Sequence, residues 1–315
     1  DEEALNRYLA MFGELKKRGI KLCLTLHHFS HPQWFEEKGE FRKRENIACF
    51  LRHLEYLIPK IAQYVDLWNI FNEFNNGDSW QLYDRKTNCL IAHAKAAALI
   101  RAHSQAPVST AHAMTPYFPA NPDDEFDITR TRITNWVVND FFYHAVRTGE
   151  ILFPYRDAVE VPELKGSCDF WAINYYTRHF VTARNASGTA PRYECHRIRP
   201  IKNDFYLEEF YPQALVDGLC RLKDLPVYIT ENGFCCDDDR LRILYVGRHL
   251  QALNEAIQRG CDIRGYLYWS LMDNFEWWSF VPRFGMVGVD FKTFERSPKP
   301  SAYLYREISE RNGLD

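Results

Sequence analysis

Apolar positions along the chain follow two alternating rhythms. Leu5, Tyr8, Leu9, Phe12 and Leu15 recur at helical spacing, basic residues crowd the last turn and Gly19 supplies a stop, so a helix is predicted to open the chain. Ile20 to His28 reads as a strand emptying into a loop with Pro32. Asn46 stands where a cap is needed for a helix carrying Ile47, Phe50, Leu51, Leu54, Leu57 and Ile61, with Pro59 its predicted kink. The run Val65 to Glu73 is the next strand. Beyond it the pattern predicts helices over residues 88–103, 134–147, 212–223 and 239–259, and strands over 108–113, 169–176, 227–231 and 263–270. Tyr303, Leu304 and Ile308 belong to a last helix, and residues 181–205 read as a polar, irregular surface excursion.

Six strands alternating with helices, with no repeat, linker or low-complexity break, predict one α/β domain over residues 1–315 built on a parallel sheet. The polar and aromatic exceptions fall at strand C-termini. That placement favours a TIM-type barrel with its chemistry on the top face over an open nucleotide-binding sheet, and no glycine-rich phosphate loop is present.

Composition narrows the picture. Lys plus Arg total 39 and Asp plus Glu 42, for a net charge of −3 with the signs interspersed, which excludes a nucleic-acid or membrane-surface patch. Nine cysteines without C-x-x-C spacing fit reduced, buried thiols in a cytoplasmic protein better than a disulfide framework. Asn185-Ala186-Ser187 is a cheap glycosylation match, and no apolar run reaches the ~18 residues of a membrane span. The chain opens on Asp1 in what reads as mid-domain sequence.

Candidate chemistry sits at two strand ends. Val227-Tyr228-Ile229-Thr230-Glu231 ends in a carboxylate before the turn-forming Asn232-Gly233, and the run from Val65 ends in Glu73 before Asn75-Asn76-Gly77. Two such glutamates suit glycoside hydrolysis, in which one carboxyl protonates the leaving oxygen and the other attacks or activates water; the bland alternative is a pair of solvated loop residues. His27 and His28 alternate across a strand and His31 lies past the bend, so they make a poor metal set. One of the pair is expected to face the pocket. Ser30, Ser270 and Ser279 lack a nucleophile-elbow setting, which makes a serine-histidine triad a weak competitor. Trp277-Trp278 beside Glu276 reads either as core or as a wall for a sugar ring.

Asn72-Glu73, Ile229 to Gly233 and Tyr268-Trp269-Ser270-Leu271-Met272-Asp273-Asn274-Phe275-Glu276-Trp277 together resemble glycoside hydrolase family 1, the retaining β-glucosidase and β-galactosidase family. Thr25 to Phe29, Asp169 to Tyr176, Arg283-Phe284-Gly285 and Pro298-Lys299 add to the likeness. The resemblance implies a TIM (β/α)8-type barrel, with Glu73 as acid/base and Glu231 as the nucleophile that forms a covalent glycosyl-enzyme. It implies that Asn72 bonds the sugar 2-hydroxyl and Tyr176 the nucleophile, that Asn174 shares the strand-end motif, and that His28, Trp269, Glu276, Trp277 and the Phe284 motif complete the substrate site. It further implies carboxyl groups ~5–5.5 Å apart, a raised pKa for Glu73 and a charged Glu231. Members acting on 6-phosphorylated sugars usually lack the Glu-Trp pair, so Glu276-Trp277 implies unphosphorylated β-glucosides or β-galactosides. No cofactor or metal is implied, the partner being a small glycoside rather than nucleic acid or membrane; oligomeric state stays open.

Two departures stand out. Phe74 occupies a position where the family usually has proline. The two barrel strands that precede the opening helix in the family, with the sugar-holding glutamine and the arginine beside the nucleophile, have no counterpart here, so the chain is expected to be an N-terminally incomplete barrel. That expectation keeps a catalytically impaired, sugar-binding barrel as the rival reading.

Overall fold

The computed structural model describes residues 1–185 and 201–314. Most of the expected polar excursion, together with Ala186 and Ser187 of the sequon and Cys195, therefore lies outside the described residues. The chain divides into two compact units: Asp1–Ala113 with Ile133–Ala172, and Met114–Arg132 with the described residues of Ile173–Asp315.

The first unit opens with α1 (Glu2–Lys17), whose N-cap Asp1 accepts from the amides of Glu3 and Ala4 at 3.0 and 3.1 Å while Leu5 and Phe12 go into the core. Its parallel strands are β1 (Cys23–His27), β2 (Leu67–Asn72) and β3 (Val108–Ala113), hydrogen-bonded in that order, with Thr25 opposite Asn69 and Trp68 opposite Val108. β2 is buried along all but its first residue and β3 throughout, as parallel strands covered on both faces must be. Between them run α2 (Ile47–Ile61) and α3 (Tyr83–Arg101).

Asn46 does not cap α2. It is itself helical, and its amide donates instead to the carbonyls of Lys38 and Glu40 in the turns before the helix. Pro59 falls in the last turn, after which the chain tightens into a 3-10 turn over Ala62–Tyr64. The helix expected over 134–147 is more elaborate. α4 (Glu125–Asn135) runs into a π-helical turn at Trp136–Asp140 and resumes as α5 (Phe141–Thr148). Packing in this unit is aromatic: Phe71 meets Phe41, Phe50 and Phe74, and Phe74 meets Phe141 and Phe142, with ring centroids 5.1–6.0 Å apart. Phe74 thus serves as core where proline would have supplied less buried surface.

β4 (Trp171–Asn174) begins in the first unit and ends in the second, which holds β5 (Val227–Glu231) and β6 (Ile263–Tyr266) beside two short two-stranded pairs; each neighbour in the order β4, β5, β6 is hydrogen-bonded to the next. α6 (Gln213–Leu219) packs on α7 (Asp239–Gln258), and α7 on α8 (Pro300–Arg311). Asp238 caps α7 by accepting from the Arg240 amide. The core here gathers Phe234, Cys236 and Tyr245 with Phe210 against them. Asn232, the amide beside Glu231, belongs to this framework. Fully buried, it donates to the Tyr175 carbonyl at 2.6 Å and accepts from the Tyr266 hydroxyl at 2.9 Å, pinning the end of β5.

Candidate active site

Each unit carries one of the two strand-end glutamates. Glu73 stands one residue past β2, its amide still bonded to the Ala111 carbonyl at 2.8 Å and its backbone turned left-handed at φ 49°. Phe74 and Asn75 behind it are buried, so the turn is fixed from the core side. Asn75 does most of the fixing: its amide donates to the carbonyls of Ala113 and Val138 at 2.9 and 3.0 Å, and its oxygen accepts from the Ala113 amide at 3.0 Å. Asn76 then reaches back, donating to Glu73 Oε2 at 2.8 Å.

His28 and Asn72 accompany Glu73. Burial lowers the His28 pKa below the ordinary imidazole value, which favours the neutral ring, and Asn72 Nδ2 lies 3.2 Å from its Nε2. His27, on the opposite side of the strand, is packed edge-on against Phe41 and Phe50 and contacts His31, and burial carries its pKa down to about 4. The alternation expected of the pair is the one observed.

In the second unit Glu231 is the last residue of β5, and the Tyr176 hydroxyl donates to its Oε2 at 2.7 Å. The β4 end supplies Asn174, whose side-chain oxygen accepts from Thr230 Oγ1 at 2.7 Å. Gly233 lets the chain pass where a side chain could not, since a Cβ there would lie 1.9 Å from the Trp269 carbonyl oxygen. Trp269 is brought alongside by its amide, which donates to the Asn232 carbonyl at 3.0 Å.

The loop after β6 hangs on this contact. Trp269 Nε1 donates to Glu276 Oε1 at 2.8 Å, and burial raises the Glu276 pKa. Backbone bonds of 2.8 and 2.9 Å between Glu276 and Ser279 close a two-residue turn, with Trp277 and Trp278 both left-handed at φ 38° and 74°. Asparagine and glycine are the usual occupants of such turns; two indoles there cost on the order of 1–3 kcal/mol each, strain of the kind that accumulates at ligand sites. Both indoles are largely exposed, so neither is core. Phe284 closes the group, its ring 6.1 Å from that of Tyr176. The loop is moored at its base by Asp273, which accepts from the Gly285 amide at 2.8 Å and from Lys299 Nζ at 3.2 Å.

His28, Asn72 and Glu73 are thus gathered in one unit, and Asn174, Tyr176, Glu231, Trp269, Glu276, Trp277 and Phe284 in the other. Sequence reading missed Asn76, whose only signal was an Asn-Asn-Gly turn signature, and Tyr206. The Tyr206 ring lies 6.1 Å from Phe284, and its buried hydroxyl has no hydrogen-bond partner among the described residues.

Parallel strands alternating with helices and ending in glutamates, amides and indoles define an α/β-barrel glycoside hydrolase. The family model described as Glycosyl hydrolase family 1 matches residues 1–314, and the chain belongs to that family. Among relatives, a β-galactosidase of Sulfolobus acidocaldarius is 30% identical over 354 residues, covering 100% of this chain and 71% of its own length. A 6-phospho-β-galactosidase of Streptococcus mutans is also 30% identical, over 98% of this chain and 80% of its own. The solved family 1 β-glucosidase of Thermotoga maritima superposes with a TM-score of 0.89 at 26% identity, over 100% of this chain and 79% of that one. The fold is accordingly the TIM-type barrel expected, the protein is a β-glycosidase, and the chain spans about four fifths of that solved structure.

Proposed function

We propose that the chain is a retaining β-glycosidase of unphosphorylated β-glucosides or β-galactosides, with Glu231 as nucleophile and Glu73 as acid/base. The observation that carries the reading is the Tyr176 hydroxyl on Glu231 Oε2, which favours the charged carboxylate without neutralising it. In the first step Glu231 attacks the anomeric carbon while Glu73 gives its proton to the glycosidic oxygen; in the second, Glu73 takes a proton from water, which displaces Glu231. Asn72, held against a neutral His28, offers its amide to the sugar 2-hydroxyl. Glu276 accepts from sugar hydroxyls, with Trp269 fixing its carboxyl and Trp277 forming a wall.

Phosphorylated substrates, the ones named for the Streptococcus relative, are disfavoured by Glu276. A carboxylate in that position repels a phosphate dianion and has nothing to give it but like charge. The test of mechanism is mass spectrometry after incubation with a 2-fluoro-2-deoxy-glucosyl inactivator: the label is expected on the peptide containing Glu231. Binding of a glucose-like inhibitor without labelling or turnover would overturn the catalytic reading in favour of sugar binding alone. Turnover of an aryl β-glucoside 6-phosphate in preference to the aryl β-glucoside would overturn the substrate assignment.

A further inference from the structure

The first unit buries a lysine that the mechanism above does not use. Lys86, on α3, is 1% exposed, and its Nζ donates to the Gly77 carbonyl at 2.6 Å and to the Val137 carbonyl at 2.7 Å, with the Phe141 ring 5.0 Å away. Gly77 follows directly on Asn76, the residue that donates to Glu73. Val137 lies in the π-helical turn, where the i→i+5 register releases carbonyls from the helix; its neighbour Val138 is the one that receives Asn75. The Glu73–Gly77 turn is therefore tied to two consecutive carbonyl positions of one π-turn, once by its own Asn75 and once through Lys86.

Such a turn needs tying. It begins and ends on left-handed residues, Glu73 at φ 49° and Gly77 at φ 83°, and a non-glycine residue in that region is held only where its surroundings over-determine it. A buried ammonium is a costly way to do so, since burial opposes its charge. Its pKa falls to about 7, chiefly through burial and with Arg85 adding to the fall, while Asp78 opposes it. The contacts outlast the charge, because a neutral amine still has two N–H bonds for two carbonyls.

We propose that Lys86 is a positioning residue for the acid/base carboxyl, locking the Glu73–Gly77 turn onto the π-turn at Val137 so that Asn76 can orient Glu73. The inference rests on the assignment of Glu73 as acid/base. Its signature is selective: a misplaced acid penalises substrates whose leaving group needs a proton and spares those whose leaving group departs unaided.

The experiment compares kcat/KM of wild type, Lys86→Met and Glu73→Gln over aryl β-glucosides graded from phenyl to 2,4-dinitrophenyl, with thermal unfolding followed in parallel. Lys86→Met is expected to lose about 10–100-fold on the phenyl glucoside and under about 3-fold on the dinitrophenyl glucoside, the loss of a buried donor to two carbonyls expressed in the barrier. Glu73→Gln should show the same slope with greater amplitude. Uniform loss across the series, or none, in Lys86→Met beside a leaving-group-dependent Glu73→Gln overturns the inference and leaves the acid/base assignment standing. Absence of leaving-group dependence in Glu73→Gln overturns both. Should Lys86→Met fail to fold, Lys86→Gln, which keeps a donor at shorter reach, is read on the same series by the same criteria.

Discussion

The two glutamates are held by opposite means. Glu73 sits in a turn bolted to the core, with Phe74 and Asn75 buried behind it, Asn76 on its carboxyl and Lys86 anchoring the far end. Glu231 ends an ordinary strand and takes a hydroxyl from Tyr176, in the unit whose loop after β6 carries the solvent-facing indoles Trp277 and Trp278. A proton donor must point at one oxygen and does well on a rigid, partly desolvated mount. A nucleophile that becomes covalently bonded to a sugar must stay charged until the substrate arrives, which a polar, less enclosed setting permits.

The sharpest way to break this contrast is to delete each carboxyl in turn. Glu231→Ala is expected to abolish turnover of every aryl β-glucoside alike, by more than the ~10²–10⁴-fold that general acid–base catalysis supplies. Glu73→Gln should lose about 10²–10⁴-fold on phenyl glucosides and little on dinitrophenyl ones, so steady-state kinetics on the two substrates distinguishes the roles. Equal profiles for the two variants would erase the functional difference between the mounts.

Next in size is the Tyr176 hydroxyl. Tyr176→Phe removes one hydrogen bond to a charged acceptor, and a loss of about 10–100-fold in kcat/KM is expected, with unchanged leaving-group dependence. Asn76→Ala, the matching deletion on the other carboxyl, should cost a similar factor on phenyl glucosides alone.

How much of this was legible beforehand follows from what each residue depends on. Glu73 and Glu231 declared themselves because strand periodicity stops at a carboxylate and a turn signature follows. The Glu276 loop was readable only as a motif, since nothing in its composition tells an exposed indole from a core one; its left-handed Trp277 and Trp278 emerged with the backbone. Asn46 looked like a cap because sequence cannot show that two earlier carbonyls would claim its amide first. The π-turn and Lys86 were invisible for a related reason. An extra residue in a helix leaves the apolar spacing almost unchanged, and Lys86 fell before the helix predicted over 88–103, which begins at Tyr83 in the structure.

The smallest effect concerns acid. Burial lowers the pKa of His27 to about 4 and of His93 and His112 to about 3 in the unit of Glu73, whereas in the unit of Glu231 the comparable buried ring among the described residues is His249, at about 3. Each is neutral when folded and titrates near 6.5 when unfolded, so the unfolded state binds more protons in between. The stability tied to these rings is full above pH 6.5 and is lost as pH falls toward 4, at up to about 1.4 kcal/mol per pH unit for each ring. Lys86 has the same sign at higher pH: with a folded value of about 7 against an unfolded one near 10.4, it withholds stability below pH 7 and returns it as pH rises. Amide hydrogen exchange, corrected for intrinsic rates, is therefore expected to show opening free energies falling faster between pH 6.5 and 4.5 in β2 and β3 than in β5 and β6. Parallel decline in both sets would mean that the two mounts unfold as one, and that the rigidity of the Glu73 turn is a property of the whole chain rather than of its own surroundings.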